Sequence, residues 1–158
     1  MTSQVLSEQS VAVESFVSLL RAYTHATRRL NAQLTADHGL TISDYEVLLR
    51  LSRAEDRQMR RVDLAEQVLL TASGITRLLD GLERGGYVER GSCDSDRRVV
   101  YAVLTDDGLA KLRDASVSHV AQIEEYFTSR YDAGELSALS TLLSRAGADG
   151  SVDCGAPD

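Results

Sequence analysis

The sequence predicts a mainly α fold with one small β-hairpin, and three observations predict it. Proline occurs once in 158 residues, at Pro157, so almost nothing along the chain interrupts a helix. Apolar residues recur at spacings of three, four and seven over most of the length. Regular strand alternation occupies one short stretch, around 87–90 and 99–104, which is β-branched and aromatic in character.

The first helix spans residues 11–38, where Phe16, Leu20, Tyr23, Leu30 and Leu34 form one stripe. His38-Gly39 ends it, because glycine accepts the left-handed backbone of a helix terminus. Ser43-Asp44-Tyr45-Glu46 reads as a capping box that opens a second helix through Leu48, Leu49 and Leu51. Residues 53–60 are polar and read as a connector. Two short helices follow. One covers 61–68, with Leu64, Ala65 and Val68 inward, and the other covers 71–84, burying Ile75, Leu78, Leu79 and Leu82. Gly85-Gly86 stops the second.

The two strand-like segments flank the polar run Gly91 to Arg98, which reads as a hairpin with a long tip. Thr105 caps a long helix whose positive end is favoured by Asp106 and Asp107. Its stripe runs through Leu109, Leu112, Val120, Ile123 and Phe127. Asp132 to Glu135 is a second capping-box pattern, opening a last helix with Leu136, Leu139, Leu142 and Leu143. Residues 147–158 have almost nothing to bury and are expected to be disordered.

Hydrophobic residues at 43% and charged residues at 26% are ordinary for a globular chain, and the length suits one domain. No apolar run reaches membrane-spanning length, and the N-terminus lacks a signal-peptide pattern, so the expected location is cytoplasmic. Cys93 and Cys154 are too few for a disulfide framework, and His25, His38 and His119 lack zinc-site spacing. No cofactor is expected. No nucleophile–base pair or phosphate-binding glycine loop argues for an enzyme.

The net charge of −7 is unevenly spread. Residues 1–49 carry −2, residues 50–101 carry +1 with ten arginines, and residues 102–158 carry −6. Contact with phosphate responds to local field, so the acidic total does not veto nucleic acid, nor does it support it.

The order helix, helix, turn, helix, long-tipped hairpin, helix is that of a winged helix-turn-helix, here over about 42–104. In such a unit the second short helix enters the major groove, and its outer face offers Thr71, Ser73, Thr76 and Arg77. Taken alone, that face is what any solvated helix shows. The hairpin tip adds Asp96, Arg97 and Arg98, where a wing meets DNA. An arginine in the narrow, electronegative minor groove is favoured with little sequence code, and Asp96 can pre-aim Arg98 by a charge-assisted pair.

The run from Ser73 to Glu83, Gly86-Tyr87-Val88-Glu89-Arg90, Asp96-Arg97-Arg98 and Leu104-Thr105 with Gly108 together resemble the multiple-antibiotic-resistance regulator (MarR) family. The resemblance covers nearly the whole chain. It implies a single domain over 1–158, a homodimer with intertwined N- and C-terminal helices, about 11–38 and 106–146, and a pseudo-palindromic promoter operator on double-stranded DNA. Repression is its usual sign. On the matching positions, Asp96 would aim Arg98 into the minor groove, while Ser73, Thr76 and Arg77 face the major groove. Family members commonly leave DNA on binding a small phenolic or anionic effector between the dimer helices and the DNA lobe. Arg21, Tyr23, His25, Arg28 and Tyr45 fall on segments able to line such a crevice.

The terminal helices support a dimer independently, since their leucine stripes exceed what a compact DNA unit covers. Two other readings stay open. The winged helix can serve as a protein–protein interaction module, or Cys93 on the wing loop can make the regulator redox-responsive.

Overall fold

A computed structural model describes residues 10–68, 70–92 and 99–146. By contacts the chain divides into two units, 1–119 and 120–158. The first contains α1 (Val11–His38), α2 (Ile42–Arg53), β1 (Gln58–Arg60), α3 (Arg61–Gln67), α4 (Ala72–Arg84), β2 (Val88–Ser92) and β3 (Val100–Leu104). It also contains the first half of α5 (Asp106–Thr128), whose second half joins α6 (Ala133–Ala146) in the other unit. The 147–158 tail lies outside the described residues.

α1 begins at Ser10, whose side chain accepts from the Val13 N–H, and ends at Gly39. There φ is +67°, and the Gly39 N–H closes on the Thr35 carbonyl at 2.9 Å. The helix is two-faced along its length. Leu30 and Leu34 near its C-terminus are buried, whereas Phe16, Leu20 and Tyr23 remain 60%, 48% and 67% exposed.

The cap of α2 sits two residues earlier than the Ser43 expected from sequence. Thr41 Oγ1 accepts from the Asp44 N–H at 3.1 Å, and Asp44 Oδ2 accepts from the Thr41 N–H at 2.8 Å. Aspartate at the third helical position does the work expected of Glu46, and buried Leu40 ahead of Thr41 anchors the entry. Asn31 Oδ1 accepts from the Ile42 N–H at 3.0 Å, tying the start of α2 to α1.

The connector after α2 is not featureless. It makes a 3-10 turn at Glu55–Arg57, with Asp56 and Arg57 both at positive φ, 51° and 54°, then the short strand β1. Left-handed backbone costs a non-glycine residue about 1–2 kcal/mol. The Arg57 guanidinium donates to Asp106 at 2.8 Å, holding the turn against the start of α5. β1 pairs antiparallel with β3, opposite β2, so the expected hairpin is the larger part of a three-stranded sheet ordered β1-β3-β2. Met59 faces Ala102 across one pairing, and Arg90 faces it across the other.

The core of the first unit gathers Leu34 from α1, Val47, Leu48 and Leu51 from α2, Leu64 from α3, and Ile75 and Leu82 from α4. Ala102 and Leu104 from the sheet and Leu112 and Ala115 from α5 close it. Alternation along β3 puts Ala102 and Leu104 inward together, as a half-buried strand requires.

α5 is seated on the sheet by three contacts. The Thr105 N–H donates to the Tyr87 carbonyl at 3.1 Å, and its hydroxyl donates to the Gly86 carbonyl at 2.7 Å. The same hydroxyl oxygen accepts from the Gly108 N–H at 2.9 Å, the cap the sequence predicts. Gly108 passes so close to Tyr87 that a Cβ would lie 2.1 Å from its carbonyl oxygen.

In the second unit, α6 opens with the predicted reciprocal cap: Asp132 N–H to Glu135 Oε2 at 2.9 Å, and Glu135 N–H to Asp132 Oδ1 at 2.8 Å. Arg130 lies over the Tyr126 ring at 3.9 Å, and Phe127 stacks on Tyr131. Leu142 and Leu143 of the expected stripe are 58% and 42% exposed.

Candidate nucleic-acid interface

α3 and α4 are the two helices of the helix-turn-helix. Leu64, Ala65 and Val68 face the core, and the Leu70 N–H closes the turn onto the Ala65 carbonyl at 2.9 Å. Thr71 is the N-cap of α4, not its first outward residue: its oxygen accepts from the Gly74 N–H at 3.1 Å. The Thr71 hydroxyl also lies 3.2 Å from Ser73 Oγ.

Ile75, Leu79 and Leu82 are buried, which turns the opposite face of α4 outward. Ser73 and Arg77 are both exposed and four residues apart, so they sit one above the other on that face. Among the described residues Arg77 forms no ion pair. Thr76 is half-buried. Its hydroxyl donates to the Ala72 carbonyl at 2.7 Å, leaving its lone pairs and methyl group to meet a ligand.

Four other arginines of this lobe are already paired. Arg60 makes a bidentate pair with Asp63, both bonds 2.7 Å, and that hydrogen bonding holds its guanidinium above the ordinary arginine value. Arg57 is committed to Asp106, and Arg50 pairs with Glu46 at 3.4 Å. Arg90 on β2 reaches back to α4, meeting Asp80 Oδ1 at 2.7 Å and Glu83 Oε2 at 3.0 Å. This clamp joins the base of the wing to the last turns of α4 and offsets half the charge of two carboxylates beside its outer face. Sequence reasoning passed over Arg90. The available signal was Asp80 and Glu83 three apart on one helix face, with an arginine just beyond the Gly85-Gly86 turn.

The wing residues Asp96, Arg97 and Arg98, and Cys93 beside them, lie outside the described residues. β2 and β3 are described up to Ser92 and from Val100, so the strands leading to that tip are in place.

Of the crevice candidates, Arg21, His25 and Arg28 line one open depression of α1 with Leu20 and Thr24, of about 330 Å³. Tyr23 and Arg28 line a second of about 360 Å³, with Asn31, Ile42 and Ser43. Tyr45 is in neither: it packs against α5 instead. Among the described residues no group of three or more His, Cys, Asp or Glu is placed to hold a metal ion. No helix among them is long and apolar enough to cross a membrane.

Comparison with known proteins agrees with this architecture. A family model described as MarR family matches residues 38–99, which take in α2 through β2. Over 142 residues the chain is 29% identical to the HTH-type transcriptional regulator MhqR of Bacillus subtilis, covering 90% of this chain and 94% of that one. Among solved structures, AbsC, a MarR family transcriptional regulator from Streptomyces coelicolor, superimposes with a TM-score of 0.78 at 29% identity, covering 90% of this chain and 96% of that one. A second MarR family regulator from Streptomyces coelicolor, solved in complex with DNA, gives 0.79 at 28% identity, with 89% of each chain covered. The winged helix-turn-helix, its three-stranded sheet and these relatives converge: the chain matches the MarR family model over residues 38–99 and is similar along most of its length to MarR family helix-turn-helix transcriptional regulators.

Proposed function

We propose that the chain is a dimeric repressor that binds a pseudo-palindromic operator and is released by a small phenolic or anionic effector. The observation that carries the DNA reading is the outward face of α4, where Ser73 and Arg77 stand exposed and stacked, with Thr76 beside them. Ser73 is short enough to let the helix approach base edges, and Arg77 reaches a guanine edge or a phosphate. Thr71 contributes at the N-terminal end of the helix, where base contacts are usual. Asp96, Arg97 and Arg98 supply the minor-groove anchor, Asp96 aiming Arg98. A similar regulator solved with DNA supports the assignment.

In this reading residues 42–104 are the DNA lobe, and 11–38 with 106–146 form the dimer. The apolar face of α1 around Phe16, Leu20 and Tyr23 and the exposed Val117, Val120 and Leu142 are then covered by a second copy. A two-fold dimer sets the two α4 helices about 34 Å apart, one DNA turn. The effector is received by the depressions along α1, where Arg28 offers charge to an anion and Tyr23 a ring to a phenol.

The test titrates labelled duplex from the chain's own upstream region with wild type, Arg77→Ala and Arg98→Ala. Either substitution is expected to cost about 1–3 kcal/mol of binding. Unchanged affinity in both would sink the assignment. Light scattering of Phe16→Asp reads the dimer, and a reporter strain reads the sign of regulation.

A further inference from the structure

The seam between α1, α2 and the first half of α5 holds a cluster that DNA contact does not use. His119 on α5 is only 4% exposed, and it is the buried polar residue of the core region. Its ring stands edge-on to Tyr45 of α2, with centroids 4.8 Å apart and planes at 62°. Its Nδ1 is buried with no hydrogen-bond partner among the described residues. The Tyr45 hydroxyl is 3.0 Å from Ser116 Oγ, nearly one turn back along α5. On the other side His38, at the end of α1, has Nε2 2.6 Å from Ser118 Oγ and Nδ1 3.2 Å from Asp114 Oδ2. Six residues of α5, 114–119, are thus gripped by α1 through one imidazole and by α2 through another.

The two imidazoles differ in what faces their rings. His38 has a carboxylate against its ring. Among the described residues His119 has none: the titratable or charged groups facing it are Tyr45 from α2, His38 from α1 and, behind His38, Asp114 on its own helix. A protonated His119 would carry a buried charge and an additional N–H donor with no acceptor in place. Burial first, and the neighbouring His38 second, push its pKa below the usual imidazole range. The closed seam therefore refuses a proton that an exposed histidine accepts near pH ~6.5. Between those two values the open form binds more protons, so the seam is firm above the exposed value and weakens as the pH falls below it.

We propose that His119 is a proton-operated catch: its neutral ring holds α5 against α1 and α2, and its protonation opens that seam and lowers affinity for DNA. α5 is the lever, because the same helix starts on the sheet through Thr105 and Gly108 packed on Tyr87. Freeing its middle frees the orientation of the wing and of α4 joined to it by Arg90. The lowered affinity rests on the DNA reading of α4 and the wing. The catch itself does not.

The experiment therefore has two readouts on the full chain at constant ionic strength, for wild type, His119→Phe, His119→Gln and His38→Gln. Thermal unfolding and the histidine Cε1–H resonances are followed from pH 8 to pH 5, alongside anisotropy with the upstream duplex. Wild type is expected to lose affinity by up to about tenfold per pH unit per protomer below pH ~6.5, the limit for one linked proton. His119→Phe keeps the ring and cannot titrate, so its affinity and stability should stay nearly flat; His38→Gln, which removes one of the two causes that lower the His119 pKa, should make the fall smaller. Should the duplex fail to bind at any pH while the stability fall vanishes in both His119 variants, the DNA reading fails and the catch stands. A fall of equal size in wild type, His119→Phe and His119→Gln overturns the catch.

Discussion

Replacing Gly108 with alanine tests how α5 is seated on the wing. The added Cβ would lie 2.1 Å from the Tyr87 carbonyl oxygen and 2.8 Å from Leu104 Cδ1, where real Cβ contacts essentially never fall below 3.0 Å. The first of these is backbone and cannot rotate aside, so the first turn of α5 must retreat by most of an ångström. That retreat breaks the bonds from the Thr105 N–H to Tyr87 and from its hydroxyl to Gly86. Each is worth about 1 kcal/mol net. Displacement strain adds about 1–3 kcal/mol, and alanine's better helix propensity returns no more than about 1 kcal/mol. The balance is a loss of about 2–4 kcal/mol, which for a chain of this size lowers Tm by about 5–15 °C. Urea unfolding followed by circular dichroism, at one fixed protein concentration because dimerisation feeds into stability, measures it. A Gly108→Ala protein within about 0.5 kcal/mol of wild type would refute the reasoning, since surface substitutions without a clash fall in that range.

Three further outcomes follow from the geometry. Arg90→Met should cost less than about 1 kcal/mol of stability, because the pair is more than half exposed at the arginine. Its DNA affinity at low salt should nonetheless fall, and the deficit should narrow as salt screens the uncovered Asp80 and Glu83, which a salt series of anisotropy titrations reads. Thr71→Ala should lose about 1 kcal/mol in chemical unfolding through the vacated α4 cap, with Thr71→Ser restoring most of it. Gly39→Ala meets no atom within 4 Å, so its expected loss of about 1 kcal/mol in the same assay is backbone strain at positive φ alone.

The helices were legible because their apolar residues repeat with the helical period and their ends carry local caps: Gly39, Thr105 and the Asp132–Glu135 pair all act within four residues of themselves. Where the structure departs from the sequence reading, the deciding interaction is either a near-equivalent local choice or a distant one. Thr41 and Ser43 both have an acid three residues on, and the burial of Leu40 selects the former. β1 is three residues of no marked β propensity, and only the edge of β3, over forty residues later, makes Gln58–Arg60 a strand. The Arg90 clamp and the electrostatic influence of His38 on His119 are likewise products of tertiary placement, to which periodicity is blind. Surplus apolar faces on α1 and α6 were visible in both, as stripes in one and as exposed side chains in the other.

The pairing of arginines with neighbouring acids bears on how such a regulator finds its target in a crowded genome. Arg57, Arg60 and Arg90 spend their charge on neighbouring acids, and on the outer face of α4 Arg77 and Arg84 are left without an ion pair among the described residues. Grip on arbitrary sequence scales with the number of phosphates a protein neutralises. A lobe that cancels most of its own charge holds random DNA weakly and lets go quickly, so fewer molecules are sequestered away from the operator. Few copies per cell then suffice to keep one site occupied, and a modest loss of operator affinity is enough to empty it.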